Sequence, residues 1–204
     1  TCEHVYDQTF DFAHQEHAYI ETEGALAIPG PDGSITVYCN DQSPFINRDN
    51  LVMLLGLSAE KVRVIQPAVG GSFGGKDDIN YQHAAMGAAL ALKTGLPVRL
   101  LTSREESMIA SYKREAMQIR LQLGADGQGN LQAARAELLA DSGAYGSMTP
   151  LALWRATVHA AGAYRYKAVH VDGKSVYTNN CYSGAFRGFG NTEAAAAIEQ
   201  AIDE

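Results

Sequence analysis

The spacing of apolar residues switches several times between a period of two and one near three and a half. That pattern predicts strands alternating with helices. Ala25–Ile28 and Ser34–Cys39 read as two strands, the second with Ile35 and Val37 between polar neighbours. The segment between them, Pro29-Gly30-Pro31-Asp32-Gly33, is dense in turn residues. Ser43-Pro44 opens a helix with proline at its first position; it carries Phe45 and Leu51–Leu55 and stops near Gly56. Val62–Ile65 predicts a short buried strand ended by Pro67. From about Asp77 to Thr94 a long helix is expected, with Ile79, His83, Met86 and Leu90 as its inward stripe and Gly95 and Pro97 as its stop.

Val98–Leu101 predicts another strand, and Ser103 with Glu106 three residues later is the capping box of a short helix. Ala116–Leu123 and Leu131–Ala140 form a long predicted hairpin around residues 125–130. A helix over 150–161 follows, then strands at Ala168–Val171 and Ser175–Thr178. Asn191 caps a last helix, Thr192–Ile202. The predicted class is α+β, with mixed sheets, hairpins and packed helices. Residues 1–204 are expected to be part of one domain and a fragment of a longer chain.

Composition narrows the function classes. The chain has 204 residues, 46% of them hydrophobic, enough for a core of one or two domains. A formal charge of −7 argues against a nucleic-acid or membrane-surface protein. No apolar run approaches the roughly 18 residues that a membrane span needs. The three cysteines, Cys2, Cys39 and Cys181, are widely spaced without a CxxC. They read as reduced thiols of a cytoplasmic protein, with no iron–sulfur cluster or structural zinc in this chain.

Two glycine-rich segments carry the candidate chemistry: Gly70–Lys76, reading GGSFGGK, and Gly184–Asn191, reading GAFRGFGN. In each, phenylalanine sits among residues with almost no side chain, so the backbone can approach a bulky partner closely. Such loops suggest a cofactor held largely by main-chain N–H groups. Gly70, Gly75 and Lys76 also fit the front of a phosphate-binding P-loop between a strand and a helix. Asp77 and Asp78, however, stand where a magnesium-binding hydroxyl should follow, and they would repel a triphosphate. A tight strand-to-helix connection remains the plain structural alternative.

The two loops together, roughly 110 residues apart, resemble the molybdenum hydroxylases, the xanthine dehydrogenase and aldehyde oxidase family, in the molybdopterin-binding large subunit. Gln15-Glu16-His17 with Tyr19-Ile20-Glu21 is similar to the family's strand QEHxYxE, and Lys93–Arg99 to its KTGRPVR. The resemblance covers nearly the whole chain. It implies that Gln42 lies beside an oxo ligand of molybdenum and Phe73 next to the metal, with Gly71 and Gly74 lending backbone contacts. Ala185, Phe186 and Arg187 would wrap the cofactor. Gln42, Phe73 and Arg187 would surround the metal without ligating it. Phe189 would offer an aromatic face to substrate, and Arg155, 32 residues before Arg187, would orient it. From the residues alone, Arg155 also reads as a solvated helix arginine and Phe73 as a core phenylalanine.

Asp77 departs from the pattern of purine-hydroxylating members, which have a glutamate there to bond the substrate. The resemblance further implies hydroxylation of an N-heterocycle or aldehyde with oxygen from water. The cofactor would be molybdenum–molybdopterin or its cytosine dinucleotide, with 2Fe-2S clusters and possibly FAD on partner domains or subunits. The catalytic glutamate and the rest of the molybdopterin-binding region would lie outside these residues. The isolated chain is therefore expected to be inactive and to hold no cofactor, and the full enzyme to be an oligomer. Two alternatives stay open: a P-loop-like nucleotide-binding enzyme, and a non-catalytic molybdopterin-binding accessory protein.

Overall fold

The computed structural model describes residues 2–77 and 80–204. In chain order the elements are β1 (His4–Phe12), β2 (Gly24–Pro29), β3 (Ile35–Cys39), α1 (Pro44–Leu55), β4 (Val62–Ile65), α2 (Asn80–Thr94), β5 (Val98–Leu101) and α3 (Arg104–Ala110). There follow β6 (Met117–Ala125), β7 (Leu131–Asp141), α4 (Thr149–His159), β8 (Ala168–Val176) and α5 (Asn191–Asp203). The chain divides into two compact units. An inserted unit spans Glu16–Tyr112, and a split unit combines 1–15 with 113–204.

The inserted unit is a four-stranded sheet in the order β4-β3-β2-β5, with β3 and β4 parallel and the other pairs antiparallel. α1 keeps the expected first-turn proline and ends at Gly56 in the left-handed conformation. α3 carries the full capping box between Ser103 and Glu106. β4 differs from expectation. It lies at the sheet edge, where Val62 is buried but Arg63 is exposed.

α2 turns a different face inward from the predicted one. Ala84, Gly87, Ala88 and Ala91 are buried, while Met86 and Leu90 are about half exposed. The helix packs on the sheet through these small residues, and a Cβ on Gly87 would make an ordinary 3.7 Å contact with that of Ala27. The buried face is thus the small one and not the one with the bulkiest apolar side chains. Of the predicted stripe, His83 is part-buried and shares a 2.7 Å hydrogen bond with Thr102 Oγ1. Ile79, like Asp78, lies outside the described residues.

The split unit has the sheet order β1-β6-β7-β8, antiparallel except for β7 with β8. Met117, Ile119, Leu121 and Leu123 alternate inward on β6, as do Ala134, Ala136, Leu138 and Ala140 on β7. α4 and α5 cover that face with Leu153, Ala156, Ala194, Ala197 and Ile198. The opposite face is polar; Arg120, for example, forks onto Asp7 at 2.9 and 2.8 Å.

In the split unit one element was not anticipated and two expectations fail. β1, which lacks a clean buried alternation, is a strand that the apolar pattern hides. The two strands predicted at 168–178 are one, β8, because Gly173 is not a turn. A Cβ there would meet Thr157 of α4 at 2.5 Å, so the missing side chain lets helix and strand approach. α5 starts one residue early, and its cap is Gly190 rather than Asn191. Among the described residues no helix is long and apolar enough to cross a membrane.

Candidate functional site

Each unit presents one glycine loop, and the two loops share an unusual backbone feature. Phe73 (φ 53°) and Phe189 (φ 50°) are both left-handed, among only four such non-glycine residues described. A bulky residue in this region is an outlier, and the surrounding structure must enforce it.

In the inserted unit the enforcement is polar. Glu21 pins both ends of the loop. Its backbone N–H donates to the Gly70 carbonyl at 3.2 Å, and its Oε2 accepts from Gly70 N–H at 2.7 Å and from Lys76 Nζ at 3.0 Å. Burial pushes the Glu21 pKa up, but the Gly70 and Lys76 bonds outweigh it and leave the group below its ordinary value. Tyr112 Oη–H donates to the Gly74 carbonyl. Beneath the loop lie Tyr19 and His17, so close that a Cβ on Gly75 would sit 2.5 and 2.8 Å from their rings. The segment over 15–21 is therefore a floor for the loop and not the expected strand. Apart from a bridge at Gln15 it pairs with no strand, and Ala18 breaks it with φ 49°.

Lys76 is fully buried, with Nζ 4.7 Å from the centre of the Tyr19 ring. A P-loop lysine must reach outward to phosphate oxygens. This one points inward, and its pKa is lowered by burial against the opposing pull of Glu21. The nucleotide-binding alternative fails on that geometry.

Phe73 stays about half exposed at the loop tip. Beside the loop, Gln42 is exposed. Its backbone N–H donates to the Lys76 carbonyl at 3.1 Å, and its side-chain oxygen accepts from Ser72 Oγ–H. With the oxygen occupied, the amide nitrogen is left as a donor. Asp77 Oδ1 accepts from Ser43 Oγ–H at 2.6 Å. Asp41, next to Gln42, is buried, accepts from Ser43 N–H at 2.8 Å, and has its pKa raised by desolvation. Gln42, Phe73 and Asp77 thus belong to one cluster, and Asp78 lies outside the described residues.

In the split unit the second loop presses on α4. A Cβ on Gly190 would collide with the Ala152 carbonyl oxygen and lie 3.2 Å from Ala156 N. This approach puts Phe189 next to α4, where the guanidinium carbon of the exposed Arg155 lies 5.3 Å from its ring centre. Ala185 is buried, Phe186 part-buried and Arg187 exposed. Phe189 N–H closes the turn onto the Phe186 carbonyl at 2.7 Å.

Beneath this loop is a charged group that the sequence reading missed. Arg114, Glu115 and Glu193 are 6%, 1% and 2% exposed. Arg114 donates through Nη1 to Glu193 Oε1 at 2.6 Å and through Nη2 to the Arg187 carbonyl at 2.6 Å. Its guanidinium carbon lies 4.1 Å from the centre of the Phe186 ring. Glu115 is pushed up to about 7, mainly by burial and then by Glu193, with Arg114 opposing. The available signal was the charged pair Arg114-Glu115 directly before the apolar alternation of β6.

Among the described residues no group of three or more His, Cys, Asp or Glu is placed to hold a metal ion. Each loop offers main-chain groups and aromatic faces, and Gln42 beside the first adds a side-chain amide. Groups of this kind fit a large prosthetic group that brings its own metal ligands.

The chain is 41% identical over 199 residues to a probable xanthine dehydrogenase subunit of Bacillus subtilis, covering 98% of this chain and 26% of that one. It is also 41% identical over 199 residues to the nicotinate dehydrogenase large molybdopterin subunit of Eubacterium barkeri, covering 97% and 46%. The chain thus spans about a quarter to a half of these relatives. Among solved structures, a CO dehydrogenase from Oligotropha carboxidovorans superposes with a TM-score of 0.89 at 28% identity, over 99% of this chain and 26% of that one. A family described as the molybdopterin cofactor-binding domain matches residues 1–204, and this chain belongs to it.

Proposed function

We propose that this chain forms part of the cofactor-holding wall of a molybdenum hydroxylase, which oxidises an electron-poor carbon with oxygen from water. The observation that carries the reading is the pair of left-handed phenylalanines, Phe73 and Phe189, each in a glycine loop braced from below by buried charge. When bound, the molybdenum cofactor supplies the two-electron redox chemistry. The chain supplies binding and orientation. Gln42 offers its amide N–H groups to an oxo oxygen. Gly71, Phe73 and Gly74 on one loop, and Ala185, Phe186 and Arg187 on the other, pack their main chain around the cofactor. Phe189 presents a ring face to an aromatic substrate. Arg155 holds a substrate carbonyl or carboxylate and stabilises negative charge as it develops. Asp77 accepts from a substrate N–H.

The substrate class proposed is an N-heterocycle ahead of an aldehyde. The names of the two relatives at 41% identity, a probable xanthine dehydrogenase and a nicotinate dehydrogenase, support that order. The enzyme would be cytoplasmic and oligomeric. It would carry its 2Fe-2S clusters, FAD where present, and the catalytic base on other domains or subunits. Its cofactor is molybdopterin or the cytosine dinucleotide form. The test is to purify the complete enzyme, measure molybdenum, and follow dye-linked oxidation of xanthine, nicotinate and an aromatic aldehyde in 18O-labelled water. Molybdenum with label in the product supports the reading. Its absence, or oxidation without label, overturns it.

A further inference from the structure

We propose that Arg114 is the positioning residue of the second glycine loop, fixing the main chain of 186–187 that faces the cofactor. A guanidinium has donors in a rigid plane and two flat faces. Arg114 uses three of these directions at once: Nη1 on Glu193, Nη2 on the Arg187 carbonyl, and a face on Phe186. Two of the three partners are loop residues; the third is the first acidic residue of α5. The side chain therefore ties the loop to the helix that follows it.

The backbone of Arg114 is held as firmly. Its N–H donates to the Gln15 carbonyl at 2.9 Å, and its carbonyl accepts from His14 Nδ1 at 3.0 Å. The next loop contact, Gly184 N–H to the Lys113 carbonyl at 2.9 Å, comes from the neighbouring residue. Residues 113–114 thus grip the loop at Gly184, Phe186 and Arg187. A tight turn of glycines would otherwise sample many shapes, and a prosthetic group held by main chain needs one of them.

The charge arrangement suits this role. Glu115, buried beside the pair, holds its proton more readily than an ordinary carboxyl. The group as a whole can then be one cation, one anion and one neutral acid, with Glu193 near the favourable N-terminal end of α5. Lysine in place of Arg114 would keep the ion pair with Glu193. It would lose the second donor arm and the flat face.

This inference rests on the cofactor reading above, and the experiment separates the two. In the complete enzyme, Arg114→Lys and the double variant Arg114→Ala/Glu193→Ala, which leaves no charge stranded, are compared with wild type. Readouts are amide hydrogen exchange of 184–191, molybdenum per protomer, and the split between kcat and KM. The expected result is exchange about 10-fold faster in 184–191 for both variants, with β6 and α5 unchanged, lower molybdenum content, and loss in kcat rather than KM per loaded site. Unchanged loop exchange overturns the proposal. So does exchange that rises equally in β6 and α5, which would mean general destabilisation, or a loosened loop with wild-type molybdenum content and kcat. If wild type itself bound no molybdenum, the cofactor reading would fail, while the exchange data would still decide whether Arg114 shapes the loop.

Discussion

The guanidinium of Arg155 lies 5.3 Å from the centre of the Phe189 ring. α4 supplies one residue and the second glycine loop the other, and Gly190 makes their approach possible by having no Cβ to strike Ala152. Arg155 is exposed on its helix, with its cation above an aromatic face. Arg187 also lies in the loop, but the contact it makes with Arg114 is through its backbone carbonyl.

The two arginines should therefore separate in a mutant pair. Arg155→Ala is expected to lower kcat/KM by about 100-fold, the loss typical of one donor to developing negative charge, with molybdenum content unchanged. Arg187→Ala, which keeps the carbonyl contact but changes the shape of the loop around the cofactor, is expected to lower molybdenum occupancy first. Metal analysis and kinetics on both variants in parallel check this. Metal loss in Arg155→Ala with retention in Arg187→Ala would reverse the two roles.

Asp77 is held by Ser43 at 2.6 Å, so its carboxylate is oriented before any substrate arrives. Asp77→Asn is expected to lower kcat/KM for an N–H-bearing heterocycle by about 10-fold, near the cost of one charge-assisted hydrogen bond, and to leave an aldehyde nearly unaffected. Ser43→Ala should show the same selectivity with a smaller loss. Equal losses on both substrates would remove Asp77 from substrate recognition.

Much of this architecture was legible in the sequence because local rules and tertiary context agreed. Ser103 with Glu106, Pro44 with Gly56, and the alternation of β6 each specify an element through chemistry confined to a few residues. What stayed hidden depended on distant partners. The buried face of α2 is its small one, packed on the sheet beside Ala27, which no helical periodicity encodes. Gly173 looks like a turn residue until Thr157 is seen against it. The loops were readable from their glycines, but their braces were not. Glu21 and Lys76 are 55 residues apart, and Arg114 and Glu193 are 79 apart.

Lys76 gives a test of the rejected nucleotide reading. Because its ammonium is buried against Glu21 and Tyr19, Mg-ATP should show no saturable binding by calorimetry at micromolar concentrations. Lys76→Met should instead affect stability. It loses the cation–π contact and an ion pair whose Glu21 side chain is 39% exposed, so water compensates part of the change. About 2 kcal/mol is expected, or roughly 4–8 °C in Tm for a chain of this size. A Tm within 1 °C or so of wild type would show that the Lys76–Glu21 pair does not brace the loop.

Glu115 should make stability fall as pH rises. Its folded pKa, about 7, lies above the ordinary 4.5. Between those values the folded protein holds a proton that the unfolded chain has released, so raising the pH favours unfolding. The contribution is fully present below about pH 4.5 and is lost as pH passes through about 7, a swing of roughly 3 kcal/mol. The physical cause is first burial and then the nearby Glu193, with Arg114 only partly offsetting them. Glu115→Gln keeps the shape and removes the titration. Urea unfolding at pH 5 and pH 8 should find the variant close to wild type at the lower pH and more stable at the higher one. Parallel losses for both proteins over that interval would mean that Glu115 stays ionised in the fold. The group beneath the second loop would then carry two anions against one arginine.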